Sequence, residues 1–462
     1  MKKRIALIVG LLLLVAMVSI LFFLSGFRPL VTPIPVADID AAASRTGMGD
    51  CFWVSVITQG GLNYAYPDTN AHYWMTQLNL PEGAKLELHG EFPHSRYLSY
   101  NVYDDDAQPV DRINDVNLVP DAGATNPFIP GQRRDSTQRG YTLNLVHGDF
   151  EAGTPMSQID AKRPVNTIFT PKGNRPIQIA LRIYVPDQGL NIKSGAPLPT
   201  PVMTLANGST VRGDALCRQI VVKDGAARNP HLPLEATKTL LNLESSTSPY
   251  HPAQSAPKWE AFFNARYLVS QTLIGTHWEW LRKLLSTKRT GGFYSTLDNT
   301  YMSMFVDNRF GDLLVLHGKA PVTPHTLNGN PVMETAQLRY WSLCKYRSFN
   351  NTATDHCLFD QEVPVDAEGN YTIVVSTAAQ RPVNAQDDCG IAWLDWGDGD
   401  GIANPSGGLL VYRHMSSSPE FTHSLFSTRE PGQEEQVLAA YYPKTKYMKR
   451  EEFEKLGCRK PA

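Results

Sequence analysis

The tetrapeptide RPVN occurs twice in this chain, in KRPVNTI at residues 162–168 and in QRPVNAQ at residues 380–386, 381 − 163 = 218 residues apart. Working outward from it, other stretches repeat in the same order. The first half carries PDTNAHYWMTQLNLPEGAKLELHG (67–90), RYLSYNVYD (96–104), YTLNLVHG (141–148), RPVN, and IALRIYVPD (179–187). The second carries LDNTYMSMFVDNRFGDLLVLHG (297–318), RYWSLCKY (339–346), YTIVVSTA (371–378), RPVN, and GLLVYRHM (408–415). Five collinear landmarks mark an internal duplication, the first signal to read in any fold.

Most landmarks have strand character. KLELHG and DLLVLHG are short apolar runs stopped by glycine, and YTLNLV and YTIVV are rich in residues that favour a pleated surface. Asn207-Gly208 between alternating runs is a strong hairpin signal. Neither half shows βαβ alternation. The expected fold class is mainly β: two duplicated antiparallel β-sandwich or jelly-roll-like domains, at 45–230 and 291–462, the second with a C-terminal tail that adds a short helix. Between them, 231–290 reads as a helical linker. Its stretch 257–287 repeats Trp259, Phe262, Phe263, Tyr267, Leu273, Ile274, Trp278, Leu281 and Leu285 at three- and four-residue steps, an apolar stripe that packs on a sandwich.

Residues 1–27 read as a cytoplasmic stub and transmembrane signal anchor. The run 5–27 carries no charge and is long enough to cross a hydrocarbon core of about 30 Å. Lys2, Lys3 and Arg4 hold the N-terminus inside and send the bulk of the chain across. The alternative is a cleaved signal peptide, but no small-x-small site follows closely. Residues 28–44, with their prolines, read as an extended spacer. The expected location is the bacterial inner membrane, single-pass, with the folded part in the periplasm.

In the 462 residues, 43 Lys and Arg nearly balance 45 Asp and Glu, so no basic field gathers a nucleic acid. Six cysteines without a C-x-x-C pair point to disulfides in an exported domain, and Cys344 with Cys357, flanking a short polar segment, is the expected pair. The other pairings stay open among the 15 that six cysteines allow.

Common catalytic signatures are missing: no G-x-S-x-G elbow, no H-E-x-x-H, no G-x-x-x-x-G-K-[ST]. One stretch concentrates carboxylates, DDCGIAWLDWGDGDG at 387–401. Asp395, Asp398 and Asp400 are the candidate ligands for a Ca²⁺ cofactor, against the plainer reading of a solvated turn. Aligning Tyr184 with Tyr412 places this loop where the second copy is about ten residues longer (412 − 381 = 31 against 184 − 163 = 21). The first copy has its own insertion between YT and RPVN. A cleft between the units, walled by these two loops, is the expected binding site. His89 and His317, duplicated before glycine, read as structural. The duplicated Arg96/Arg339 and Arg163/Arg381 read as ties for Asp68 or Asp298.

DTNAHYW, RYLSYNVYD, AWLDWG and ALRIYVP together resemble a tandem of uncharacterised bacterial domains, the domain-of-unknown-function families numbered twelve fifty-four and twelve fourteen. The resemblance implies a pair of β-sandwiches and no reaction. The Trp-Leu segment departs from the family's Asn-Trp-Leu-Pro, reading AWLD here. The functional expectation is non-catalytic: binding a glycan, lipid or small molecule, or envelope scaffolding. The alternatives are a metal-assisted hydrolase or lyase using the acidic loop, and a subunit of an envelope protein complex.

Overall fold

The structure, a computed structural model, describes residues 30–47, 49–150, 154, 156–173, 175–241, 253–264, 267–268, 272, 289, 292 and 294–458. The first half contributes strands β1 (Leu30–Pro33), β2 (Ser55–Ile57), β3 (Ala71–Leu78), β4 (Lys85–Glu91), β5 (Ser95–Tyr103), β6 (Pro109–Asn114), β7 (Gly140–His147), β8 (Thr167–Thr170), β9 (Ile177–Pro186), β10 (Thr200–Thr204), β11 (Thr210–Arg212) and β12 (Arg228–His231). The second contributes β13 (Glu260–Ala261), β14 (Asn299–Asp307), β15 (Leu313–Lys319), β16 (Leu338–Tyr346), β17 (Thr354–Phe359), β18 (Asn370–Ser376), β19 (Ala392–Asp395), β20 (Gly407–Ser417) and β21 (Lys444–Met448).

Each unit is two packed sheets. In the first the orders are β2-β3-β9-β5-β6 and β11-β10-β4-β7-β8; in the second they are β13-β14-β20-β16-β17 and β19-β18-β15-β21. Replacing each strand by its repeat turns one pair of orders into the other, apart from β11, which has no counterpart in the four-stranded sheet, so the duplication written in the sequence is a duplication of topology. Pairing is antiparallel except at one edge of each unit, where β8 runs parallel to β7 and β19 parallel to β18. Each RPVN precedes that parallel edge strand.

The sequence patterns separate outer from inner sheets. In β7, Tyr141, Leu143 and Leu145 point inward and alternate with half-exposed residues, as a strand with one wet face requires. β5 is buried at every position, because its second face meets the other unit. The two inner sheets lie between the outer ones, with Tyr97, Tyr184, Tyr340 and Met415 packed together where they meet.

The HG and YT landmarks form one cross-strand device. Gly90 faces Tyr141 and His89 faces Thr142; Gly318 faces Tyr371 and His317 faces Thr372. A Cβ on Gly90 would stand 2.6 Å from the Tyr141 ring, so glycine makes room for the aromatic. The histidine Nδ1 bonds the threonine hydroxyl at 3.3 Å in one copy and 3.2 Å in the other.

Several expectations change. Residues 28–44 are not an extended spacer where described: β1 pairs with β12, and Val36–Thr46 is a helix that buries Ile39 and Ala42 and ends at Gly47 with φ +63°. Trp259 does not begin a helical stripe. It enters the core of the second unit, and the next two residues form β13 on β14, because a partner edge outweighs local helical spacing. Most of 257–287 lies outside the described residues. The described helical parts of the linker are the helix Leu234–Leu241 and, within 257–287, the residues Tyr267, Leu268 and Thr272. The C-terminal tail supplies the edge strand β21 on β15 besides the short helices Glu434–Leu438 and Arg450–Glu454. No helix of the described residues is long and apolar enough to cross a membrane, and the run 5–27, read as an anchor, lies outside them. All six cysteines are bonded, as Cys51–Cys217, Cys344–Cys357 and Cys389–Cys458.

Candidate functional site

The two units are joined by a buried polar seam. Asp68, on the loop before β3, reaches across to β16 and β20. Its Oδ2 accepts from the Tyr340 hydroxyl at 2.8 Å and the Ser342 hydroxyl at 2.7 Å, and pairs with Arg413 Nη1 at 2.6 Å. Arg413 also donates to the hydroxyls of Tyr184 at 3.4 Å and Tyr346 at 3.3 Å. The return contact comes from Asp298, before β14, which accepts from Tyr97 at 2.7 Å and Asn114 at 3.1 Å in the first unit. Arg96 pairs with Asp360 at 2.5 Å, and Arg339 faces Asp115 at 3.8 Å. The units therefore meet as the halves of a two-fold dimer meet, the same patch serving on both sides.

Strand register identifies which residues correspond. Arg182 stands between Tyr73 on β3 and Ser99 on β5; Arg413 stands between Tyr301 on β14 and Ser342 on β16. Arg182 and Arg413 are thus the same position in two copies. Counting from the matched tyrosines, Asp68 stands 73 − 68 = 5 residues before and Asp298 only 301 − 298 = 3. At the strict equivalent of Asp68 the second copy has Thr296. This offset is why Asp68 extends to the opposite core arginine, while Asp298 stops at Tyr97 and Asn114, with Arg112 beyond them at 3.9 Å. Arg182 instead gives its Nη2 to the Tyr103 hydroxyl and the Tyr294 carbonyl, and lies over the Tyr73 ring at 5.3 Å.

A cavity of about 120 Å³ opens at this seam, walled by Ala65 and Tyr66 from the first unit, by Leu232, Phe262 and Leu268 from the linker, and by Tyr301, Tyr346, Phe349, Leu409 and Val411 from the second unit, with Arg413 among them. A smaller one of about 50 Å³ shares Ala65, Tyr66, Tyr301 and Arg413 with it and adds Arg182, Tyr73, Tyr184 and Tyr294. Ala65 and Tyr66 hold φ of 61° and 54°, consecutive left-handed residues without glycine. Such strain persists only where surrounding contacts impose it, and it gathers at functional positions. Burial, with Tyr346 adding to it, pushes the Tyr66 phenol well above its usual range, so it enters the cavity as a neutral hydroxyl.

The acidic loop is elsewhere. Asp398 pairs with Arg347 at 2.5 Å; Asp400 Oδ1 accepts the backbone N–H of Ile402, Ala403 and Asn404 at 2.8, 3.0 and 3.0 Å; Asp395 accepts that of Gly397 at 3.1 Å. The three carboxylates are not brought together. Among the described residues the one set of three metal-ligating side chains within 4.8 Å is Asp68, Cys344 and Cys357, and both sulfurs are already bonded to each other. Asp400 lines a separate cavity of about 30 Å³ with Arg347 and Ser348, and no described residue of either insertion loop walls the seam cavity. The arginine ties also differ from expectation. Arg163 grips Asp111 bidentately at 2.9 and 2.6 Å, and Arg381 bonds the Ala385 carbonyl and stacks on Trp393.

Sequence reasoning missed Arg182 and Arg413 because it matched Tyr184 to Tyr412. The register instead sets Tyr412 opposite Leu343, an inward core position, as Leu181 stands opposite Tyr100. Matching RIY to RHM on the arginine would have found the pair.

No family model matches the chain, and no curated protein matches it. Among solved structures, an uncharacterized protein from Burkholderia cenocepacia is similar with a TM-score of 0.43 at 11% identity, covering 86% of this chain and 85% of that one. A protein from Vibrio parahaemolyticus gives 0.35 at 12% identity, covering 89% and 96%.

Proposed function

We propose that this chain is a non-catalytic binding protein of the extracytoplasmic space that holds a small molecule between its two β-units, and that it belongs with the tandem bacterial domains it resembles. The observation that carries the reading is the seam cavity: apolar and aromatic walls drawn from both halves, with a buried guanidinium among them. Sites of this kind combine a mostly apolar lining with few oriented polar groups. Its size compares with an engineered cavity of about 150 Å³ that takes up benzene, so a single ring or a short branched chain fits. Three disulfides suit an oxidising compartment, which agrees with export by the basic and apolar N-terminal stretch.

Thermal denaturation with a panel of single-ring compounds, neutral and charged, tests the reading. At least one compound raises the melting temperature, and the rise disappears in Val411→Phe, which fills the cavity. No rise with any compound in the wild type would refute it.

A further inference from the structure

We infer that the ligand is a monocarboxylate with a compact apolar body, its ring or branched chain in the larger cavity and its carboxylate on Arg182. This rests on the reading of the seam cavity as the binding site, and adds the chemical class.

The argument is one of charge. Arg182 and Arg413 are both about 4% exposed, and both line the smaller cavity. Arg413 is neutralised by Asp68. Arg182 is its counterpart by register, yet Thr296 replaces the aspartate that would serve it, and no carboxylate among the described residues pairs with it. Its partners are neutral: the Tyr103 hydroxyl, the Tyr294 carbonyl and two aromatic faces. A buried cation without an anion is costly, and a guanidinium matches the two oxygens of a carboxylate better than any neutral group.

The polar atoms around the smaller cavity point the same way. Arg182 Nε, Arg413 Nε and the Tyr66 hydroxyl are buried, and none has a hydrogen-bond partner among the described residues. All three donate. The walls nearest to them supply one net positive charge, since Asp68 cancels only one of the two guanidiniums. The larger cavity, which shares Tyr66 and Tyr301 with the smaller, is apolar at Leu409, Val411 and Phe349. A molecule satisfying both ends is acidic at one end and hydrophobic at the other.

Isothermal titration of the full-length chain with benzoate, benzamide and toluene separates the parts of the claim. Benzoate binds, and benzamide, its neutral isostere, binds at least about tenfold more weakly, the loss expected when a charged hydrogen bond is replaced by a neutral one. Arg182→Gln, if folded by circular dichroism, brings benzoate down to the benzamide level. Equal binding of all three probes would overturn the carboxylate assignment and leave the cavity reading standing. Binding of none of them would overturn both.

Discussion

Arg413 meets the carboxylate of Asp68 at 2.6 Å across the seam, whereas Arg182, at the same register position in the other copy, meets the Tyr103 hydroxyl and the Tyr294 carbonyl. A two-residue offset between Asp68 and Asp298 separates these outcomes. Duplication made the two halves alike, and this offset made the seam lopsided in charge.

The first consequence is mechanical. Asp68→Asn leaves Arg413 buried without an anion, and breaking a buried ion pair in this way costs about 3–5 kcal/mol. Asp298→Asn removes a carboxylate bonded to the neutral Tyr97 and Asn114, with Arg112 only at 3.9 Å, and costs about 1–2 kcal/mol. Urea unfolding of the two variants checks the order. Equal losses would show that the Asp68–Arg413 pair does not hold the units together.

How much of this was legible in the sequence can be seen residue by residue. The repeated HG, YT and RPVN marks disclosed the duplicated sheets, because glycine opposite tyrosine and the turn before an edge strand are local devices with local spelling. Trp259 misled, since its helical spacing was overridden by a free edge on β14 and a place in the second core. Asp395, Asp398 and Asp400 drew attention as a cluster, yet each is occupied separately by Arg347 or by backbone N–H groups. The seam itself was hidden: it joins residues some 345 positions apart, as in Asp68 and Arg413, and its register is set by strand pairing that no short motif records.

Stability should depend on pH through Glu362. Desolvation by the surrounding chain, ahead of the nearby charges of Asp68 and Asp360, raises its carboxyl to about 7, although the residue as a whole is exposed. In the unfolded chain a glutamate titrates near about 4.3. Between these values the folded state holds a proton that the unfolded state has released, so the contribution is complete below the unfolded value and is lost as pH rises through 7. Glu362→Gln therefore loses less stability than the wild type between pH 5 and pH 8. Buried His414, lowered to about 3, has the opposite slope below its unfolded value, but it is common to both proteins and cancels in the comparison. Parallel profiles for the two proteins would contradict the assignment.

The disulfides should rank by the length of chain they close. Cys344–Cys357 closes 13 residues, Cys389–Cys458 69 and Cys51–Cys217 166. In the chain-entropy account, removing the shortest costs about 3 kcal/mol and the longest about 5 kcal/mol. Paired Cys→Ser variants, compared by guanidinium unfolding, give the order, and a larger loss at Cys344–Cys357 would reverse it.

Within the acidic loop, two neighbouring aspartates should behave differently. Asp400 is buried and satisfies three backbone N–H groups, so Asp400→Ala costs about 1–2 kcal/mol, like the loss of a helix cap. Asp398 is exposed on the surface with Arg347, and its removal costs at most about 1 kcal/mol. The melting temperatures of the two alanine variants decide; an equal drop would mean that the loop is held by its charges rather than by its turn.

The central claim is that the seam between the duplicated units is the place where a ligand is held. A crystal structure of the full-length chain grown with benzoate tests it most directly. The account predicts difference density for the ring between Tyr66 and Tyr301, with its two oxygens against the Arg182 guanidinium. Density only at the protein surface, or an empty seam at saturating benzoate, would contradict it.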